Sequence, residues 1–348
     1  MLRLTSLISG LSGGILAASM SLAQTNLTAE TAALVSVPGN TMIGLAEATA
    51  AAGVANIQVA TGQTLTNSVK NVAEGSTDIA SAPFILTFLL SRGAGPYSAV
   101  GAEDGARLAD NLSVLYTYRL GVTALSAFES RNFGGWDAIK GATIYNGPPR
   151  GAALTRARGV IKIATGLDDG VGYTGIQVNW GQAVKTMTDG SADAHAIPAN
   201  FPDGRLANAA ASGDMVVFSL PKDVYESDAA QNFIKAPGSV GVVFPKKGLL
   251  GPNINIVSDD EFFRGIGEVG GELVNKSMDE ETAYQLTKAF LSSLDTVMAR
   301  TPFMSNVWLG ETDPSKTGLC SAVPIQYHPG AIRAWEEAGH AIPDCAKP

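Results

Sequence analysis

One stretch of this chain occurs twice, and that repetition limits the possible folds more than any other feature. From Ile57 the sequence reads Ile-Gln-Val, then a turn with Gly62-Gln63, then Val69-Lys70 and Glu74-Gly75-Ser76-Thr77-Asp78, closing on Pro83. From Ile176 it reads Ile-Gln-Val again, then Gly181-Gln182, Val184-Lys185 and Asp189-Gly190-Ser191-Ala192-Asp193, closing on Pro198. The offset is 119 residues before the loop and 115 after it, so the copies differ by four residues of loop. An apolar run, a Gly turn, a helical pattern, and a Gly-Ser-x-Asp turn into a second apolar run spell strand, helix, strand.

The copies extend upstream in kind. Leu34 to Val37 reads as a short strand ending in a Pro38-Gly39-Asn40-Thr41 loop, followed by an Ala-rich helix to Gly53. Thr143 to Tyr145 ends in Asn146-Gly147-Pro148-Pro149-Arg150-Gly151, followed by a helix to about Ala164. Each half is then β-α-β-α-β, which closes a parallel sheet with helices on both faces. The expected class is α/β, as two parallel or mixed sheet lobes facing each other. Ligands of such sheets sit outside the carboxyl ends of the strands, at the loops entering the helices.

Chain tracing gives three parts: residues 1–23 as a signal peptide, 24–122 with 254–348 as a discontinuous lobe I, and 123–253 as lobe II. Leu112 to Tyr118 is a strand that continues extended through Gly121 to Phe128 into the second lobe, and Asn253 to Val257 reads as the strand that returns. Two crossing strands suit a hinge. A late helix carries Ala283, Leu286, Phe290, Leu294 and Val297 on one face, with Ser277 and Glu280 as a capping box. A last helix spans Ala331 to Ala338, between Pro329 and Gly339.

Arg3 followed by an apolar stretch and Ser21-Leu22-Ala23 reads as an export signal cleaved after Ala23. Cleavage removes one positive charge and takes the formal charge from −8 to −9. No later apolar run approaches the ~18–20 residues of a membrane span, so the mature protein is expected to be soluble and periplasmic. In an oxidising compartment Cys320 and Cys345 read as a disulfide tying down the tail, with two buried thiols as the alternative. The acidic charge, and the lack of any basic block, exclude nucleic acid as a partner.

Catalytic chemistry is not evident. His195, His328 and His340 have no metal-ligand spacing, so neither metal nor cofactor is expected. Gly10-Leu11-Ser12-Gly13-Gly14 fits a nucleophile elbow but lies in the signal peptide. Gly265-Ile266-Gly267-Glu268-Val269-Gly270 fits a dinucleotide fingerprint without a βαβ unit around it, and reads as glycines relaxing a strand or turn. Asp168-Asp169 and Asp259-Asp260 read as solvated turns. What remains is binding chemistry at the strand ends: Asn40, Thr41, Met42, Gln63, Thr64, Asn67, Asn146, Arg150, Gly151 and Asn200. Helix amino termini favour anions, and Arg150 adds a planar fork able to grip a carboxylate.

Several of these residues carry a family resemblance. The Thr61-Gly62-Gln63-Thr64 loop, the Gly147-Pro148-Pro149 turn, Tyr284 to Phe290, and above all His328-Pro329-Gly330-Ala331 with Trp335 and Glu337-Ala338-Gly339 resemble the TAXI family, the extracytoplasmic solute receptors of TRAP transporters. Two positions depart from its pattern: Pro38 to Met42 replaces a Gly-rich loop with an aromatic, and Arg150 stands where the family has Gly. The resemblance implies a fold of the periplasmic-binding-protein type II kind that closes around a small organic anion, a carboxylate or an amino acid such as glutamate. It further implies a receptor that delivers its ligand to a TRAP-type membrane permease; a monomer without bond chemistry is expected. The alternatives are an exported enzyme on the same bilobal scaffold and a periplasmic sensor docking on a receptor kinase.

Overall fold

The computed structural model describes residues 24–149 and 151–348, so the expected signal peptide, residues 1–23, and Arg150 lie outside the described residues. In chain order, β1 (Thr25–Glu30), α1 (Val37–Ala51), β2 (Ala55–Ala60), α2 (Leu65–Ala73) and β3 (Ile79–Pro83) form the first unit. The helices α3 (Phe84–Ser91) and α4 (Ala102–Asp110) lead to a long β4 (Leu112–Phe128). The second unit is β5 (Thr143–Tyr145), α5 (Ala152–Thr165), β6 (Thr174–Ile176), α6 (Ala183–Thr188) and β7 (Ala194–Ala199). Next come α7 (Gly204–Ala210), β8 (Met215–Phe218), α8 (Lys222–Glu226), α9 (Asp228–Ile234), β9 (Ser239–Pro245), β10 (Ile254–Val257) and β11 (Phe262–Asn275). The tail carries α10 (Glu280–Ser292), α11 (Leu294–Met298), α12 (Pro314–Thr317) and α13 (Pro329–Glu337).

The two copies fold alike. In the first, the strand order is β2-β1-β3 with β1 parallel to both neighbours; in the second it is β6-β5-β7 with β5 parallel to both. Each parallel trio is closed by one antiparallel strand, β11 against β3 and β4 against β7. The result is a two-lobed α/β fold on one curled mixed sheet. Its centre is the antiparallel pair β4·β11, paired from Leu112↔Asn275 to Val122↔Gly267 with register shifts at Glu268/Val269 and Gly271/Leu273. Beyond that register β4 continues against β7 and β8, while β11 is paired with β9. These two strands run through both lobes.

Close approach explains the glycines of β11. A Cβ on Gly270 would stand 2.3 Å from the Ala82 carbonyl oxygen, and one on Gly271 would stand 2.4 Å from that of Tyr116. Gly265 to Gly270 therefore serves strand packing. Against the expectation, Asn253 to Val257 does not make the return: β10 pairs in parallel with β8, and β11 goes back. An apolar run drew the sequence reading to β10, while the glycines hid the longer strand.

The first strand also moves. Leu34 and Val35 are exposed loop, and α1 begins at Val37 because the Ser36 hydroxyl caps it and Pro38 fits its first turn. In the late helix the cap is Asp279, which accepts from the Thr282 N–H, and not Ser277, whose hydroxyl bonds Asn275. That helix breaks at Ser293 into α10 and α11. The last helix starts two residues earlier than expected, with His328 as its cap. Two cores result. The larger spans both lobes and includes Tyr116 stacked on Phe290 at 3.6 Å, and the smaller packs Val160 and Ile161 of α5 on Ile144, Ala194 and Ala196. Cys320 and Cys345 form a disulfide, with Cα atoms 5.4 Å apart.

Candidate functional site

The carboxyl ends of both parallel trios meet the crossing strands: Pro83 of β3 lies opposite Gly270, and Ala199 of β7 lies opposite Val122. The loops leaving those ends form the candidate site. In the first lobe Thr31, just past β1, ties them together. Its carbonyl accepts the Gln63 N–H at 2.9 Å, and its hydroxyl meets Ser81 Oγ at 3.0 Å, which in turn bonds the Pro38 carbonyl at 3.2 Å. Asn40 is buried and spends its Nδ2 on the carbonyls of Leu34 and Ser36, so it shapes the loop ahead of α1. Thr41 and Met42, expected on an open loop, are turned into the core because the helix starts before them. Gln63, Thr64 and Asn67 are exposed; Gln63 Nε2 donates back to the Thr61 carbonyl at 3.1 Å, and Thr64 precedes α2 without capping it. Ahead of α1, Leu34 and Val35 are exposed, the latter 83%.

In the second lobe Asn146 is fully buried and acts as framework. Its Oδ1 accepts from Gln177 Nε2 at 2.7 Å, and its Nδ2 donates to Asp169 at 3.3 Å. Asp169 is no solvated turn. Burial would raise its carboxyl, but Arg158 at 2.6 and 2.8 Å, the Gly175 N–H and Asn146 together bring it below the ordinary range. Gly147 and Gly151, with φ of 103° and 105°, give the left-handed backbone that turns the chain into α5.

Sequence reasoning passed over Trp180 and Arg205. Trp180 is 43% exposed beside Gly147, with the Arg205 guanidinium 4.8 Å from its ring centroid. Arg205 also donates to the Pro198 carbonyl and lies 3.5 Å from Asp203, which caps α7. The Tyr145 hydroxyl is buried without a partner, and burial pushes it up to about 12 against the pull of Arg205. Asn200 leads from this group to the hinge: its N–H donates to Asp203, its Nδ2 donates to the Leu120 carbonyl at 2.9 Å, and its Oδ1 accepts from Arg119 at 3.4 Å.

Arg119, in the middle of β4, is wholly buried. Its Nη2 donates to the Asn306 carbonyl at 2.5 Å, and the Asn306 Nδ2 donates to the Phe201 carbonyl at 2.6 Å. The rings of Phe244 and Trp308 lie against the guanidinium, 5.3 and 5.4 Å away by centroid. Burial lowers Arg119 to about 9. A signal for it was present: Arg119 is the one charged residue in the seventeen of β4.

The structure thus joins Thr41 and Gln63 through Pro38, Ser81 and Thr31, leaves Asn40 to brace the loop ahead of α1, and links Asn200 through Asp203 and Arg205 to Trp180 beside Gly147. Two hollows, of about 320 and 290 Å³, lie beside the disulfide and along β10, and neither is lined by an expected site residue. Among the described residues no group of three His, Cys, Asp or Glu side chains could hold a metal ion. None of their helices is long and apolar enough to cross a membrane.

Fold and site together define a two-lobed α/β protein on one curled mixed sheet, with loops from both parallel trios meeting the two crossing strands. The chain belongs to the NMT1-like family, whose sequence profile matches residues 38–339. Among curated protein sequences nothing matches. Similar solved structures include the periplasmic aliphatic sulphonate binding protein SsuA from Escherichia coli, at 12% identity and TM-score 0.45, covering 81% of this chain and 78% of that one. A TctC solute binding protein from Polaromonas aligns at 13% identity and TM-score 0.44, covering 82% and 89%. DctP7, a Bordetella pertussis extracytoplasmic solute receptor binding pyroglutamic acid, aligns at 12% identity and TM-score 0.42, covering 81% and 84%.

Proposed function

We propose that this protein is an extracytoplasmic solute receptor that closes around a small organic anion, a carboxylate or an amino acid such as glutamate. The observation that carries the reading is the pair β4·β11. Two strands crossing between two copies of one unit form a hinge, and the carboxyl ends of β3 and β7 meet on it. Lobe I then lies before Gly121 and after Glu268, and lobe II lies between them. Closure is a two-state motion that a ligand favours by touching both lobes at once.

Gln63, Thr64 and Asn67 would face the solute from lobe I, with Asn40, Thr41 and Met42 shaping the first turns of α1. Asn146, Arg150, Gly151 and Asn200 would face it from lobe II. Export with cleavage near Ala23, a periplasmic location, a monomeric state and delivery to a TRAP-type permease in the manner of the TAXI receptors complete the proposal. The role is binding, without bond chemistry.

A thermal-shift screen of the mature protein against small acids, amino acids and neutral solutes tests it. A ligand at 100 times its Kd should stabilise the fold by ~2.7 kcal/mol. Small-angle scattering should then show compaction with the same compound. Compounds that shift melting without compaction, or none that shift it, would sink the receptor reading.

A further inference from the structure

Three arginines are buried among the described residues, and two of them have carboxylates. Arg156 lies 3.7 Å from Glu268, and Arg264 lies 2.7 Å from Asp260. Arg119 is the most buried of the three, and none of the ion pairs among the described residues includes it. A guanidinium offers five N–H donors. Two find acceptors here, Asn200 Oδ1 and the Asn306 carbonyl, both neutral, and Nε is buried without any partner. Phe244 and Trp308, with rings tilted 60° to each other, cup the group and keep water from it. Trp308 itself has φ of 57°, a left-handed backbone that is costly for a bulky side chain and is held where surroundings enforce it. Burying an unmatched charge is expensive, and an apolar side chain of similar volume does a purely structural job better.

We propose that Arg119 is the anion receptor of this protein, and that the free edge of its guanidinium takes the carboxylate of a small organic acid. The inference rests on the solute-receptor reading and names the group that would recognise the solute. A planar fork with unused donors matches a planar carboxylate through two parallel hydrogen bonds. Asn200 comes from the β7 end and Asn306 from the carboxyl-terminal segment, whose Val307 carbonyl also accepts the Arg119 N–H at 2.6 Å. An anion bound there completes the donor set at the seam where both lobes meet, so neutralising the charge and closing the lobes are one event.

The test pairs charged probes with neutral counterparts: succinate, glutarate and benzoate against succinamide, glutaramide and benzamide. Each is titrated calorimetrically into the mature wild type, Arg119→Met, Arg119→Lys and Arg150→Ala, and each ligand-free protein is melted. The expected result is an acid that binds wild type, with its amide and the Arg119→Met protein each at least ~30-fold weaker, as for a buried charge pair that loses a partner. Arg119→Lys should recover part of the affinity. Ligand-free Arg119→Met should melt at or above the wild-type temperature. A lower melting temperature, or failure to fold, would make Arg119 a strut and overturn the proposal. So would acid binding within threefold of wild type in Arg119→Met, or its loss in Arg150→Ala alone. A neutral solute that binds wild type and Arg119→Met equally overturns the anion receptor while the solute-receptor reading stands. A wild type that binds none of the six counts against both.

Discussion

Thr41 Oγ1 lies 2.6 Å from Glu272 Oε1, although 231 residues separate them. The same hydroxyl faces the carbonyls of Val37 at 3.2 Å and Pro38 at 3.1 Å. One hydroxyl hydrogen serves one acceptor at a time, and the Glu272 oxygen is the nearest of the three, so Thr41 donates to it. Burial pushes the Glu272 carboxyl up to about 7, against the hydrogen bonds of Ser81, Thr41, Tyr118 and Tyr116. The start of α1 therefore rests on a buried carboxyl group that holds its proton more firmly than a free one.

Stability should carry the mark of that group. A carboxyl raised from 4.5 to about 7 on folding contributes stability that is full below 4.5 and lost as pH rises through 7. Glu272→Gln has no such proton to lose. The stability of Glu272→Gln relative to wild type should therefore grow between pH 5 and pH 8, by on the order of 3 kcal/mol. His195, buried and lowered to about 4, titrates with the opposite sign in both proteins and cancels from the difference. Urea denaturation of the two at several pH values reads it, and a constant difference would refute the buried acid.

Arg156 and Glu268 form the ion pair that fastens α5 to β11 near the hinge. Burial pulls each toward its neutral form, and each partner opposes that for the other. Arg156 also donates to Ser239 Oγ at 2.9 Å and to the Gly267 carbonyl at 3.1 Å. Arg156→Met strands a buried carboxylate and should cost ~3–5 kcal/mol, most of which Arg156→Met/Glu268→Leu should recover. Chemical denaturation of Arg156→Met, Glu268→Leu and the double variant checks this, and additive losses would contradict it.

The tail is zipped onto β4, with the Val114 N–H donating to the Gln326 carbonyl and the His328 N–H donating to that of Val114, both at 3.0 Å. The Cys320–Cys345 bond, 25 residues apart in sequence, locks it there. In the chain-entropy treatment a loop of this size is worth ~3 kcal/mol. Reduction, or Cys320→Ser/Cys345→Ser, should lower the melting temperature and loosen hydrogen-exchange protection along Val114 and Tyr327. Two free thiols in the denatured, unreduced protein would rule the bond out.

What the sequence made legible follows from locality. The repeat at Ile57 and Ile176 exposed two copies of one strand-helix-strand unit because each is built from neighbouring residues with clear turns. The start of α1 is hidden because Pro38-Gly39 looks like a loop, whereas Ser36 and Pro38 are also a good first turn. The hinge strand β11 escaped because its glycines are dictated by contacts with Ala82 and Tyr116, some 190 and 155 residues distant, which no local window contains. Asp169 reads locally as a solvated turn because its partners, Arg158 and Asn146, are set by tertiary packing. Arg119 was within reach, as a lone charge in an apolar strand, and what it lacks becomes visible only once its surroundings are known.

The carboxyl-terminal signature His328-Pro329-Gly330-Ala331 does its work in packing. The His328 ring nitrogen Nδ1 accepts the Gly330 N–H at 3.2 Å and caps α13. A Cβ on Gly330 would stand 2.1 Å from the Glu280 carbonyl oxygen and 2.8 Å from the Tyr284 nitrogen, both backbone atoms of α10 that cannot rotate away. Gly330→Ala must therefore push α13 off α10. That strains the Trp335 Nε1 bond to the Leu115 carbonyl at 2.9 Å and the Tyr284–Glu337 bond at 2.6 Å. The expected cost is ~1–3 kcal/mol, with Gly330→Val worse. Gly204→Ala, where a Cβ meets nothing within 4 Å, is the control and should stay within ~0.5 kcal/mol of wild type. Urea denaturation of the three variants decides it, and a Gly330→Ala protein as stable as the control would show that α13 has room to move.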